Sequence, residues 1–287
     1  MKRVVRDNYF ERNDSTLKIV LIYLALMIMT LIAIYPILNI LAAALRPGNQ
    51  MFSTSLALIP KNASLANFEA AFTQIKLMHW VYNSALISLL TTVATLIFST
   101  TAGYAFSRYR FLGRTSGMII LLVTQMFPAT MILLPLNILL TNLELSDKLW
   151  ALVIPYVSTV VPFSIWLLKG YFDTIPVSIE ESAYVDGCGT FRTFYTIVLP
   201  LSKPALAVAS IFAFMGSWSE YIVARVLIHD GSIYTLPLGL VTLQGQFSTQ
   251  WGVYSAAALI TVIPVVIIFT VLSKYLVSGL TLGSVKG

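Results

Sequence analysis

Glu180-Glu181-Ser182-Ala183-Tyr184-Val185-Asp186-Gly187, followed nine residues later by Ile197-Val198-Leu199-Pro200, is a polar stretch set between two long apolar ones. Pro176 lies shortly before it, and proline suits a helix start because the N–H it lacks is not needed there. Glu180 and Glu181 near that start suit the positive end of a helix dipole. Asp186-Gly187 reads as the stop, since glycine tolerates the left-handed conformation that commonly closes a helix. A second short helix is expected from about Thr190 to Tyr195. The stretch therefore predicts a helix-turn-helix knob, with Ala183, Tyr184 and Gly187 on or near one face and small residues that let another surface approach.

Working outward, the chain declares its solvent. It is 57% hydrophobic and 10% charged, with a mean hydropathy of +0.83, far from the composition of soluble domains. Ile19 to Leu45 runs uncharged for longer than the roughly 20 residues that cross a bilayer, and far longer than a signal-peptide core. Further candidate spans are Trp80–Ser107, Met118–Leu140, Leu149–Leu168, Pro204–Val223 and Tyr254–Ser273. The expectation is an all-α polytopic membrane protein with six transmembrane helices, because hydrocarbon cannot satisfy exposed backbone groups and no alternating barrel pattern occurs. Pro36, Pro128, Pro135, Pro155, Pro162 and Pro264 are expected to bend these spans.

Orientation follows from Lys and Arg in the short loops. With the N-terminus inside, the inner segments hold Lys2, Arg3, Arg6, Arg12, Lys18, Arg108, Arg110, Arg114, Lys169, Arg192, Lys203, Lys274 and Lys286. The outer ones keep Arg46, Lys61, Lys76, Lys148 and Arg225. This bias predicts both termini, and the knob between them, in the cytoplasm. It also accounts for the net charge of +6 through membrane topology, so nucleic acid is not an expected partner.

The chemistry-bearing residues are sparse. No Gly-x-x-x-x-Gly-Lys-Ser/Thr phosphate loop and no His-Glu-x-x-His occur, and His79 and His229 belong to different external segments. Cys188 is the single cysteine, which excludes an intramolecular disulfide and a cysteine metal cluster. Glu220 is the one carboxylate within a span. It either lines a pathway, pairs with a neighbour such as Arg225, or sits at the interface. Gln125 and Asn137 can hydrogen-bond either a hydroxylated substrate or a neighbouring helix. An ion-coupled secondary transporter usually carries buried charge, and a membrane-embedded enzyme needs polar groups clustered at one depth. Both are alternatives to a subunit driven by a separate ATPase, and neither pattern is visible.

Glu181-Ser182-Ala183, three residues, Gly187, nine residues, then Ile197-Val198-Leu199-Pro200 resembles the EAA motif of binding-protein-dependent ABC importer permeases, with Ser182 in place of the first alanine and Cys188 after the glycine. Asn83-Ser84, Trp218-Ser219-Glu220-Tyr221 and the end of the chain extend the resemblance over essentially residues 15–287, toward MalG-type permeases of maltose/maltodextrin importers. The resemblance implies a type I importer permease fold (MetI-like) in a prokaryotic inner membrane. It implies a cytoplasmic tail 1–18, a permease domain 19–287, a coupling loop 169–203 and a C-terminal tail 274–287. The coupling loop would dock on the ATPase through Glu180, Glu181, Ser182, Ala183, Asp186 and Gly187.

The polar, aromatic outer loop Gln244-Gly245-Gln246-Phe247-Ser248-Thr249-Gln250-Trp251 would reach the sugar-binding protein; an ordinary interfacial loop anchored by Trp251 is the other reading. The tail Ser284-Val285-Lys286-Gly287 would contact the ATPase subunits, where a frayed terminus is the alternative. The implied partners are a second, MalF-type permease, two MalK-type ATPase subunits, an extracytoplasmic sugar-binding protein and membrane lipid. The chain itself is expected to hold no cofactor or metal and to catalyse nothing, with ATP and magnesium on the ATPase.

Overall fold

The structure, a computed structural model, describes residues 16–47, 59–244 and 249–282, with side chains of Ala129 and 276–282 left aside. The regular secondary structure of the described residues is all helical, without a strand. The elements are α1 (Thr16–Leu45), α2 (Ala66–Thr73), α3 (Leu77–Arg108), α4 (Arg114–Met126), α5 (Ala129–Asn142), α6 (Val153–Phe172), α7 (Val177–Val185), α8 (Thr190–Thr193), α9 (Leu199–Leu201), α10 (Lys203–Trp218), α11 (Ile222–Leu227), α12 (Leu236–Thr242) and α13 (Trp251–Leu282). A 3-10 turn, Leu149–Leu152, leads into α6, and a π turn, Phe194–Val198, joins α8 to α9.

α3 is the axis. It packs along α6 on one side and α10 on another; α13 lies against α10, and α1 against α13. Three apolar clusters fill the interior. Trp80, Phe214, Trp218, Leu236 and Val253 form one near the N-terminal end of α3, where the Phe214 and Trp218 rings stack. Ile87, Leu152, Tyr156, Leu227 and Leu238 form the second. Tyr104, Leu168, Phe172, Phe194 and Val198 form the third, under the knob.

Four described helices are long and apolar enough to cross a membrane, or five if the bent pair Thr190–Leu201 and Lys203–Trp218 counts as one. The expected span Met118–Leu140 is instead two shorter helices. Phe127, preceding Pro128, is extended at φ −78° and ψ 131°, as the residue before a proline prefers, and the chain restarts at Ala129. The expected span Pro204–Val223 stops at Trp218. There the Glu220 carboxylate accepts the backbone N–H groups of Val223 (2.8 Å) and Ala224 (3.1 Å), capping α11.

Of the prolines expected to bend spans, Pro36, Pro135, Pro162 and Pro264 lie inside helices, and Pro155 sits in the first turn of α6. The sharp bend among these helices, 79°, falls elsewhere, between Leu201 and Lys203. Pro200 and Pro204 flank it. Each lacks the N–H that would continue the ladder, and the buried Ser202 hydroxyl donates to the Val198 carbonyl (2.7 Å) at the break.

Candidate functional site

The knob is built by local rules. α7 begins directly after Pro176 and ends at Val185. Gly187, at φ +82°, closes it: Gly187 N–H donates to Tyr184 O (3.0 Å) and Cys188 N–H to Ala183 O (2.9 Å). This paired pattern is the Schellman cap, which satisfies the last carbonyls and needs a left-handed residue at the glycine. The short α8, expected over Thr190–Tyr195, forms over Thr190–Thr193 and widens into the π turn. At the tip, Val185 is 88% and Phe191 82% exposed, beside exposed Glu181, Ser182, Asp186 and Gly187. Ala183 is buried while Tyr184 and Gly187 are exposed, so the three do not share one face.

Glu180 stands in the first turn of α7, as expected of an acid near a helix start, but its side chain is buried. It is turned inward and 2% exposed. Its carboxylate accepts the Tyr104 hydroxyl and Arg108 Nε–H, both at 2.6 Å. The remaining guanidinium nitrogens donate to Ile175 O (2.9 Å) and Ser107 Oγ (3.1 Å). Ser107 Oγ donates in turn to Asp173 (2.7 Å), whose other oxygen accepts Lys169 Nζ (2.6 Å).

The last turn of α3, the end of α6 and the start of α7 are thus joined in one network. Burial alone would raise the Asp173 carboxyl, but the hydrogen bonds from Lys169 and Ser107 outweigh it and hold the group below its ordinary value. The Tyr104 ring packs on Phe194 (centroids 4.7 Å apart) and edge-on to Phe172 (6.1 Å), adding an apolar floor.

At the opposite end, residues 232–243 close over the N-terminal turns of α3. A His79 ring nitrogen donates to the Ser232 carbonyl, Asn83 Nδ2 to Tyr234 O (3.0 Å), and Leu236 N–H to Ser84 Oγ (2.7 Å). Gly239 lies flat on Trp80; a Cβ there would stand 2.2 Å from the indole. Of the outer-loop residues, Gln244 donates to the Tyr254 hydroxyl (3.1 Å), and Trp251, edge-on to Tyr254, opens α13 after Thr249 and Gln250. Gly245, Gln246, Phe247 and Ser248, and the tail Ser284, Val285, Lys286 and Gly287, lie outside the described residues. Gln125 Nε2 donates to Thr159 O (3.1 Å), a contact between α4 and α6.

Residues 95–282, which contain the knob, its latch and the elbow beyond it, match the family described as the binding-protein-dependent transport system inner membrane component. The chain belongs to that family. It is 37% identical to the galactooligosaccharides transport system permease protein GanQ of Bacillus subtilis, over 92% of this chain and 94% of that one. It is 36% identical to the maltodextrin transport system permease protein MalD of Streptococcus pneumoniae (93% and 95% covered) and 35% identical to the maltose/maltodextrin permease MalG of Photorhabdus laumondii (91% and 94%). A solved bacterial ABC transporter involved in importing the acidic polysaccharide alginate superposes with a TM-score of 0.77 at 27% identity, over 93% of this chain and 99% of that one.

As an inner-membrane component of this transport family, the chain is a multi-pass permease with the importer-permease fold. Among the described residues no group of three or more His, Cys, Asp and Glu side chains could hold a metal ion. The latch residues Tyr104, Ser107 and Arg108 escaped the sequence reading. Their one local signal is their spacing, which puts them on one helix face at the end of a span.

Proposed function

We propose that this chain is one of two unlike permeases in an ATP-driven importer of oligosaccharides, with maltose/maltodextrin as its substrate, in keeping with the permeases named for maltodextrin among its relatives. The observation that carries the reading is the knob. A Schellman-closed helix presents Val185 and Glu181 outward, with Phe191 of α8 exposed beside them, while its other side is bolted to the ends of two membrane helices, which suits a part pushed by another protein.

In this reading α4 and α5 form one broken span and α8–α10 another, making six with α1, α3, α6 and α13. The loop 169–203, the tail segments 1–18 and 274–287 and both ends of the chain are cytoplasmic, and 19–287 is the permease domain. The knob residues Glu181, Ser182, Asp186 and Gly187 meet a MalK-type ATPase, while Glu180 and Ala183 support them from within. Ser284 to Gly287 lie with the ATPases, Gln244 to Trp251 face the sugar-binding protein, and a MalF-type permease completes the pathway. Nucleotide and magnesium are held by the ATPases, and this chain is not itself an enzyme.

ATP and the loaded binding protein drive the cycle because each has differential affinity for the outward-facing state. The test is reconstitution in vesicles with the second permease, the ATPase and the binding protein, scored with maltodextrins, galactooligosaccharides and arabinooligosaccharides. ATP-dependent maltodextrin uptake only with all partners present is expected. Saturable uptake by this chain alone overturns the reading, and uptake of another saccharide class in preference overturns the assigned substrate.

A further inference from the structure

α3 spans 32 residues, about 48 Å at 1.5 Å per residue. Among the described helices of 20 residues or more, it alone has no internal proline; α1, α6 and α13 carry Pro36, Pro162 and Pro264. α10, the other helix that rises from the knob, is set off by the 79° bend. Prolines and breaks are where helices most sharply yield, so α3 is the long described helix that joins the two ends without either.

Both its ends are tied by side chains to segments that are not membrane spans. At one end Tyr104 and Arg108 hold Glu180 of the knob, and Ser107 holds Asp173. At the other, His79, Asn83 and Ser84 hold the backbone at Ser232, Tyr234 and Leu236, with Trp80 under Gly239. Two short segments at opposite ends of the molecule are therefore fastened to one rod.

We propose that α3 transmits the displacement of the knob directly to the outer segment 232–243, with Glu180, Arg108 and Tyr104 as the lower joint and Asn83 and Ser84 as the upper one. These are positioning residues: they touch neither nucleotide nor sugar. Glu180, although next to Glu181 in the chain, holds the knob to the rod and does not dock on the ATPase. A helix tied at both ends is a contiguous physical connection of the kind that can carry long-range coupling. The outer segment answers to ATP because it is attached, and the loaded binding protein, pressing on the adjoining loop Gln244 to Trp251, reaches the knob by the same route.

This rests on the transport reading, so the test begins from the assembled wild-type transporter. Sugar taken up per ATP hydrolysed, and stimulation of ATPase by the loaded binding protein, are measured for Glu180→Gln, Asn83→Ala and the double variant, with co-purification of the ATPase as the measure of assembly. Each single variant is expected to retain the ATPase, Glu180→Gln because its amide oxygen still accepts from Arg108, whose other nitrogens keep Ile175 O and Ser107 Oγ, and to lose about fivefold in both coupling measures, a typical size for coupling between sites. The double variant should be no worse than the poorer single, because a rod cut at one end is already disconnected.

Additive losses, or coupling equal to wild type, overturn the proposal. So does loss of the ATPase in Glu180→Gln together with wild-type coupling in Tyr104→Phe, which removes one hydroxyl from the joint and leaves the ion pair. A wild-type complex that takes up no sugar refutes the transport reading and the rod with it, whereas a competent wild type with additive variants refutes the rod alone.

Discussion

The two ends of α3 are fastened by opposite chemistry. At the knob end the tie is ionic and buried: Glu180 and Arg108 side chains are 3% and 11% exposed. At the other end no ion pair is made: a His79 ring nitrogen, the Asn83 amide and the Ser84 hydroxyl meet backbone groups. A buried ion pair costs almost as much desolvation as it returns in attraction, yet losing one partner strands the other charge. A neutral hydrogen bond is worth little alone and can be lost singly. The knob joint should therefore fail all at once, and the outer joint loosen one contact at a time.

The largest expected effect follows from that asymmetry. Arg108→Met strands the Glu180 carboxylate and should cost about 3–5 kcal/mol, read as loss of the assembled permease or a large fall in its thermal midpoint. Arg108→Met with Glu180→Leu and Tyr104→Phe, which empties the site of polar groups, should recover most of it. A single variant as stable as wild type would remove the contrast. Next comes Gly239→Ala at the outer joint, where the added methyl meets the Trp80 ring and should cost about 1–3 kcal/mol in thermal unfolding.

Gly187→Val tests the knob differently. Nothing lies within 4 Å of a Cβ at Gly187, so the penalty is backbone conformation alone, about 1–2 kcal/mol for a left-handed non-glycine residue. Uptake should fall far more than stability does, since the added bulk stands where a partner docks; wild-type uptake would remove the knob from the mechanism.

Asn83→Ala, at the outer joint, should cost only about 0.5–1.5 kcal/mol in thermal unfolding. The smallest effect belongs to Asp173. Its carboxyl is lowered in the folded state, so its contribution is present above the unfolded value of about 3.9 and disappears as pH falls through the lower folded value. Asp173→Asn should therefore be slightly less stable than wild type at pH 7, and the difference should shrink in acid; a difference that grows in acid would contradict the assigned direction.

The sequence by itself determined the features that depend on neighbours along the chain. Hydropathy located the apolar stretches because each helix satisfies its own backbone, whatever surrounds it. Gly187 was legible as a helix stop because a Schellman cap is closed by residues 183–188 alone.

Where a second segment takes part, the local reading stops short. Met118–Leu140 reads as one span bent at Pro128; the chain breaks there into α4 and α5, and Gln125 docks on α6, a partner the local sequence does not name. Glu220, open to three readings in the sequence, caps α11.

Glu180 is the sharpest case. In sequence it is a dipole-complementing acid twinned with Glu181. In the fold it is sequestered by Tyr104, 76 residues earlier, and Arg108, 72 residues earlier. One step along a helix rotates a side chain by about 100°, so adjacent glutamates face different surroundings. Which of the two meets water and which meets a guanidinium depends on where α3 ends relative to α7, and only packing sets that.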